Sequence, residues 1–109
     1  MKRYCQTLKL YNDPQLIAQY VEEHQHVWPE IKAGICEVGI LDMQIYIHGN
    51  TLFMIVDTVD EFDWGKDNAR LATLPKQAEW EAYMSRFQQA DKDATSAEKW
   101  QLMERIFKL

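Results

Sequence analysis

Between Lys2 and Leu10 the chain alternates, with Tyr4, Gln6, Leu8 and Leu10 on one side and Arg3, Cys5, Thr7 and Lys9 on the other. A period of two places these sets on opposite faces of a strand. The period then changes. Asn12 and Asp13 are candidate N-caps, Pro14 suits the first helical position, and Leu16, Ile17, Tyr20, Val21 and His24 recur at helical spacing. A helix begins here, with Tyr20 and His24 on one face. Pro29 disfavours helical geometry at Trp28 but can itself open a helix, which assigns Ile31, Ile35 and Val38 to a second segment closed by Gly39.

Residues 40–48 and 51–58 are rich in β-branched and aromatic side chains and are separated only by Gly49 and Asn50, the spacing of a tight hairpin. The stretch carrying Asp60, Asp63, Gly65 and Asn68 is weakly helical at best. After Pro75, in contrast, Trp80, Tyr83, Met84 and Phe87 trace an i, i+3, i+4, i+7 stripe and predict a further helix. The polar run from Gln88 to Glu98 reads as a loop, and "KWQLMERIFKL" as a closing strand.

The order is thus β-α-β-β-α-β with extra helical turns. Right-handed crossovers turn that order into a ferredoxin-like α+β fold, an antiparallel sheet with its helices on one face. Such a layer leaves the other face of the sheet bare, and burying it against a second copy gives the expectation of a homodimer of the dimeric α/β-barrel type.

Size and composition narrow the setting. A chain of 109 residues has room for one core, so one domain over 1–109 is expected. With 47% hydrophobic residues, four Trp, five Tyr and four Phe it is expected to fold, and its apolar runs fall well short of the ~20 residues that span a bilayer. No membrane association is expected. The amino terminus has basic residues but no apolar stretch ending in a small-residue cleavage site, which suggests a cytoplasmic protein. Cys5 and Cys36 then read as small buried hydrophobes. A net charge of −5 and the lack of a Lys/Arg stripe argue against nucleic acid as a partner.

The candidate chemistry lies in "YVEEHQHVWPE", residues 20–30. As metal ligands His24 and His26 are poorly spaced, since residues i and i+2 of a helix point about 200° apart and no further His or Cys pair completes a shell. As structural residues, Tyr20 and His24 would close a helix by ring packing and hydrogen bonds to backbone, the commoner fate of a single histidine. As catalytic residues they would set a phenol beside an imidazole, with Trp28 as a flat apolar wall. That trio suits a small polyol, because aromatic faces stack on the C–H patches of a sugar ring while polar groups hold its hydroxyls. Trp80 and Tyr83 would add a second wall, whereas Met84 and Phe87 read as core. Of the many carboxylates, which include Glu22, Glu23, Glu30, Asp42 and Asp57, most are solvated charges; Glu81, next to Trp80, is the exception to watch.

Several of these stretches resemble a known family. "Y-x-x-x-H-x-x-x-W-P-E" at 20–30, "I-Y-I" at 45–47, "L-F-M" at 52–54, "W-x-x-Y-M" at 80–84 and the ending "L-M-E-R-I-F-K-L" are similar, in order and over essentially the whole chain, to the L-rhamnose mutarotase family of small sugar mutarotases. The resemblance implies a dimeric ferredoxin-like domain that interconverts the α and β anomers of a 6-deoxy sugar without cofactor or metal. Position by position it matches the family's acid histidine to His24, its substrate-contacting tyrosine to Tyr20 and the first of two consecutive substrate-contacting tryptophans to Trp80. The second tryptophan falls at Glu81, and another sugar-contacting tyrosine falls at Met43. Met43 cannot donate a hydrogen bond whereas Glu81 can accept two, so the polar lining is rearranged and a different hydroxyl pattern is implied. The form "HVWPEI…DMQIY…EWEA" resembles the branch associated with L-fucose, which places L-fucose ahead of L-rhamnose.

Mutarotation opens the ring by protonating O5 and deprotonating the anomeric hydroxyl. His24 is expected to be the acid, with Tyr20 placing or relaying the proton, and the base is Glu81, Glu30 or a water that one of them positions. A ligand-binding domain without catalysis and a cofactor-free oxygenase are the competing readings, because a fold does not set a function.

Overall fold

The computed structural model describes residues 1–109. In chain order it contains β1 (Lys2–Lys9), α1 (Pro14–Glu23), α2 (Pro29–Glu37), β2 (Ile40–His48), β3 (Thr51–Thr58), α3 (Trp64–Leu71), α4 (Gln77–Met84), α5 (Ser96–Lys99) and β4 (Gln101–Leu102). The sheet runs β2-β3-β1-β4 with every pairing antiparallel, as the ferredoxin-like expectation requires.

Register sorts the strand residues into two faces. Leu8, Leu52 and Ile47 lie in one cross-strand row, Gln6, Met54 and Ile45 in the next, and Tyr4, Val56 and Met43 in the third. These rows share the face under the helices. They meet Tyr20 of α1, Ile31 of α2, Trp80 and Met84 of α4, and Phe62, Phe87 and Trp100 in one cluster of buried side chains. The opposite face carries Cys5, Phe53, Ile55 and Tyr46 and has no helix over it.

Local chemistry explains the helix limits. Asp13, of the two candidate caps, accepts hydrogen bonds from the Gln15 and Leu16 amides, at 2.9 and 3.4 Å, and Pro14 opens α1. Trp28 takes the extended geometry that a following proline favours, and α2 starts at Pro29. Gly39, at φ +98°, ends that helix where an added Cβ would lie 2.9 Å from Val59 Cγ2. In the hairpin, Gly49 supplies the positive φ of +61°, and the Asn50 side chain donates to the Leu10 carbonyl at 3.0 Å, pinning the turn to the end of β1.

Four expectations need correction. Residues 64–71 form a true helix, α3, because Asp63 accepts from the Lys66 amide at 2.8 Å while Asp67 accepts from the Asp63 amide at 2.8 Å, and Trp64 packs on Tyr4 at 4.6 Å. Reciprocal caps and an aromatic anchor outweigh the poor helix propensity of Gly65, Asp67 and Asn68. The polar run 88–98 is not all loop: Thr95 and Glu98 form a capping box that starts α5. The closing strand is shorter than read, covering only Gln101–Leu102. The free edge of β1 is shared, since Tyr11 and Gln89 bond to the Phe87 and Lys9 carbonyls at one end and Met103 bonds to the Cys5 carbonyl at the other. Finally, Cys36 is exposed rather than buried.

Candidate active site

α1, the turn after it and α4 bring four aromatic groups around one imidazole. His24 caps the C-terminus of α1, and its ring lies 4.3 Å from that of Tyr20 and 5.7 Å, edge-on, from that of Trp80. Trp28 meets Trp80 edge-on at 5.0 Å and lies parallel to Tyr83 at 6.4 Å. The spacing of four residues stacks Tyr20 under His24, while the pre-proline geometry of Trp28 turns the chain back so that its indole reaches α4. Tyr20 is 3% and Trp80 7% exposed, whereas His24 and Trp28 are half-buried. The imidazole is therefore the polar group at the surface of an aromatic floor. A hollow of 440 Å³ lined by Trp28, Pro29, Glu30, Lys76 and Glu79 adjoins it at Trp28.

One contact fixes the histidine's chemistry. His24 Nδ1 lies 2.8 Å from the Tyr20 carbonyl oxygen, which can only accept, so Nδ1 carries the hydrogen. Burial lowers the His24 pKa from its usual 6.5, with the Tyr20 carbonyl opposing. At neutral pH the ring is then neutral and its Nε2 presents a lone pair. Donation from Nε2 requires the imidazolium. Beneath it, burial pushes the Tyr20 phenol well above its usual range, so it stays protonated and can donate a hydrogen bond.

Glu81 follows Trp80 on α4, and its side chain is 28% exposed. Its Oε2 is buried without a hydrogen-bond partner and lies 4.0 Å from Lys99 Nζ. Burial raises its pKa, with Lys99 opposing. The Glu81 charge also raises the Tyr20 phenol's pKa, a smaller cause than burial.

The structure thus brings Tyr20, His24, Trp28 and Trp80 together, while the Glu81 carboxylate faces Lys99. Met43 lies in the sheet, opposite Val56 and in the same row as Tyr4, half-buried against the core that holds Tyr20 and Trp80. His26 is exposed, 3.2 Å from Glu22. Glu30 is exposed in the first turn of α2, where it lines the hollow beside Trp28, whereas Asp57 is held by Arg3 through two bonds of 2.7 and 2.9 Å. Met84 and Phe87 are core, as their stripe indicates. Missed from the sequence were Ser85, Gln88 and Lys99, which lie behind Glu81. The T-S-A-E capping box just before Lys99 is the signal that could have found a short helix there. No group of three or more His, Cys, Asp or Glu side chains is arranged to hold a metal ion.

The chain is similar to several known proteins. An L-fucose mutarotase from Xanthomonas campestris is 39% identical over 100% of this chain and 89% of its own length. An L-rhamnose mutarotase from Enterococcus faecalis is 27% identical over 86% of this chain and 85% of its own length. The crystal structure of an L-rhamnose mutarotase from Formosa agariphila superposes with a TM-score of 0.75 at 21% identity, covering 100% of this chain and 99% of that one, which supports the fold. The L-rhamnose mutarotase family model matches residues 3–109, and the chain belongs to that family.

Proposed function

We propose that this protein is a sugar mutarotase that interconverts the α and β anomers of a 6-deoxyaldose, with L-fucose preferred over L-rhamnose. The observation that carries the reading is the neutral His24 imidazole, its Nδ1 committed to the Tyr20 carbonyl, standing beside the Trp28 and Trp80 indoles. The indoles offer faces and edges for the apolar side of a pyranose. The imidazole supplies the proton transfer that ring opening needs.

In this mechanism His24 Nε2 first accepts the anomeric hydroxyl proton. The C1–O5 bond then breaks, its electron pair leaves on O5, and the imidazolium returns the proton to O5. Both oxygens are bonded to C1, so one ring nitrogen serves both in turn. Rotation about the C1–C2 bond of the open aldehyde, followed by the same steps in reverse, closes the ring on its other face. His24 is the acid of the resemblance, acting after it has been the base. Tyr20, kept protonated by burial, helps to place the reacting oxygens. A non-catalytic sugar-binding role has no observation of its own in its favour.

The preference for L-fucose is supported by the L-fucose mutarotase relative and by Glu81, an acceptor where the resemblance puts an indole. The two sugars differ in hydroxyl configuration, so an acceptor in the wall discriminates between them. Exchange spectroscopy of both sugars with catalytic protein is expected to give the larger kcat/KM for L-fucose. Equal or reversed values would contradict the preference.

A homodimer belongs to the same reading, in a cytoplasmic setting. Two features support it: the uncovered sheet face of Cys5, Phe53, Ile55 and Tyr46, and the carboxy-terminal segment after β4, in which Ile106, Phe107 and Leu109 are all exposed. Apolar side chains on an extended segment beside a strand edge suit pairing with a second copy. Sedimentation is expected to give a dimer for the full chain and a smaller species after deletion of residues 104–109. A monomeric full chain would overturn this.

A further inference from the structure

The buried ammonium of Lys99 has no part in the mechanism above. Its side chain is 1% exposed, which for a lysine calls for partners. It donates to Ser85 Oγ at 2.6 Å and to Gln88 Oε1 at 3.4 Å, and faces Glu81 Oε2 at 4.0 Å. The Ser85 hydroxyl donates onward to the Glu81 carbonyl at 2.8 Å, so its oxygen lone pairs are turned toward the ammonium. Lys99 can only donate, which settles the orientation of Gln88: its Oε1 faces Lys99.

The geometry points to Lys99 as a positioning residue: anchored by Ser85 and Gln88, it holds the Glu81 carboxylate as a hydrogen-bond acceptor, so that the site selects a sugar with a hydroxyl that donates to it. This rests on the mutarotase reading and adds the source of its selectivity. The titratable groups bearing on Glu81 are Lys99 from α5 and Tyr20 from α1, with His24 one ring further, on Trp80. Without Lys99, only the smaller contribution of the Ser96 side chain opposes the burial that favours the protonated acid. Glu81 would then stay protonated to a higher pH than in the wild type, and the protonated acid donates where the carboxylate accepts.

The test compares Lys99→Met, Glu81→Gln and the double variant with wild type, using L-fucose anomer exchange and the carbon NMR titration of the Glu81 carboxyl. Lys99→Met is expected to raise KM about 10-fold, the order expected from one lost charged hydrogen bond, with a much smaller change in kcat. Its KM should fall again as pH rises through the Glu81 titration, whose midpoint should move upward. In the Glu81→Gln background, which also removes the buried charge left behind by Lys99→Met, the lysine change should add little to KM. An unmoved Glu81 midpoint, or an equal KM effect of Lys99→Met with and without Glu81, would overturn the proposal. A wild-type protein inactive on all sugars would instead overturn the mutarotase reading and the selectivity drawn from it, while the titration still decides the Lys99–Glu81 link.

Discussion

Replacing His24 with alanine is expected to slow anomer exchange by about 10²–10⁴-fold, the usual contribution of a positioned acid or base. Spontaneous mutarotation sets the floor. His24→Asn should lose nearly as much, because its amide nitrogen takes the place of Nδ1 and keeps the bond to the Tyr20 carbonyl but cannot take up a proton. The pH dependence follows from the direction of the shift. Burial holds the His24 pKa below 6.5, so the catalysed rate should be flat at neutral pH and fall as pH drops through that lowered value. An imidazolium that had to act first would give the opposite slope, with rate rising on acidification. The same shift has a stability sign. Between the lowered value and 6.5 the folded state binds fewer protons than the unfolded chain, so stability rises with pH across that window and is lost below it.

Phe87→Ala should destabilise the fold by about 3–5 kcal/mol, the range for emptying a fully buried aromatic position. Phe87 is 0% exposed, and its ring meets Tyr20 edge-on at 5.8 Å and Tyr83 at 5.5 Å. Its carbonyl also accepts from the Tyr11 amide at 3.0 Å, tying the end of α4 to the end of β1. The cavity would open directly under Tyr20. Against a total of ~5–15 kcal/mol such a loss is large, and with urea m-values of ~1–3 kcal/mol per molar it moves the midpoint by a molar or more. A loss below about 1 kcal/mol would show that the phenol floor does not depend on this ring.

Much of the fold is legible in the sequence because its signals are local. The hairpin is found to the residue, since Gly49-Asn50 and the two β-branched runs need no tertiary information. α1 and α2 follow from caps and prolines on either side of Trp28. What is not legible depends on distant partners. α3 forms because Trp64 finds Tyr4, sixty residues earlier. The closing strand begins no earlier than Gln101 because segment 87–89 already occupies the Lys9–Tyr11 end of β1, a competition no local pattern reveals.

For the site, the periodicity places Tyr20 with His24, and the resemblance adds Trp80 and Glu81. The i, i+4 spacing brings the two rings together, but nothing in it says which nitrogen of His24 is bound to the Tyr20 carbonyl. Lys99 is invisible for a related reason. A lysine in a polar run normally means solvent, and only the folded chain shows Ser85 and Gln88 closing over it.

The central claim is that His24 moves the proton that opens the ring. Its most direct test is exchange spectroscopy of the L-fucose anomers at neutral pH, with wild-type protein and His24→Ala in parallel and circular dichroism confirming that both are folded. Faster exchange with wild type and a rate near the spontaneous one with His24→Ala is the expected result. Equal acceleration by the two proteins would contradict it.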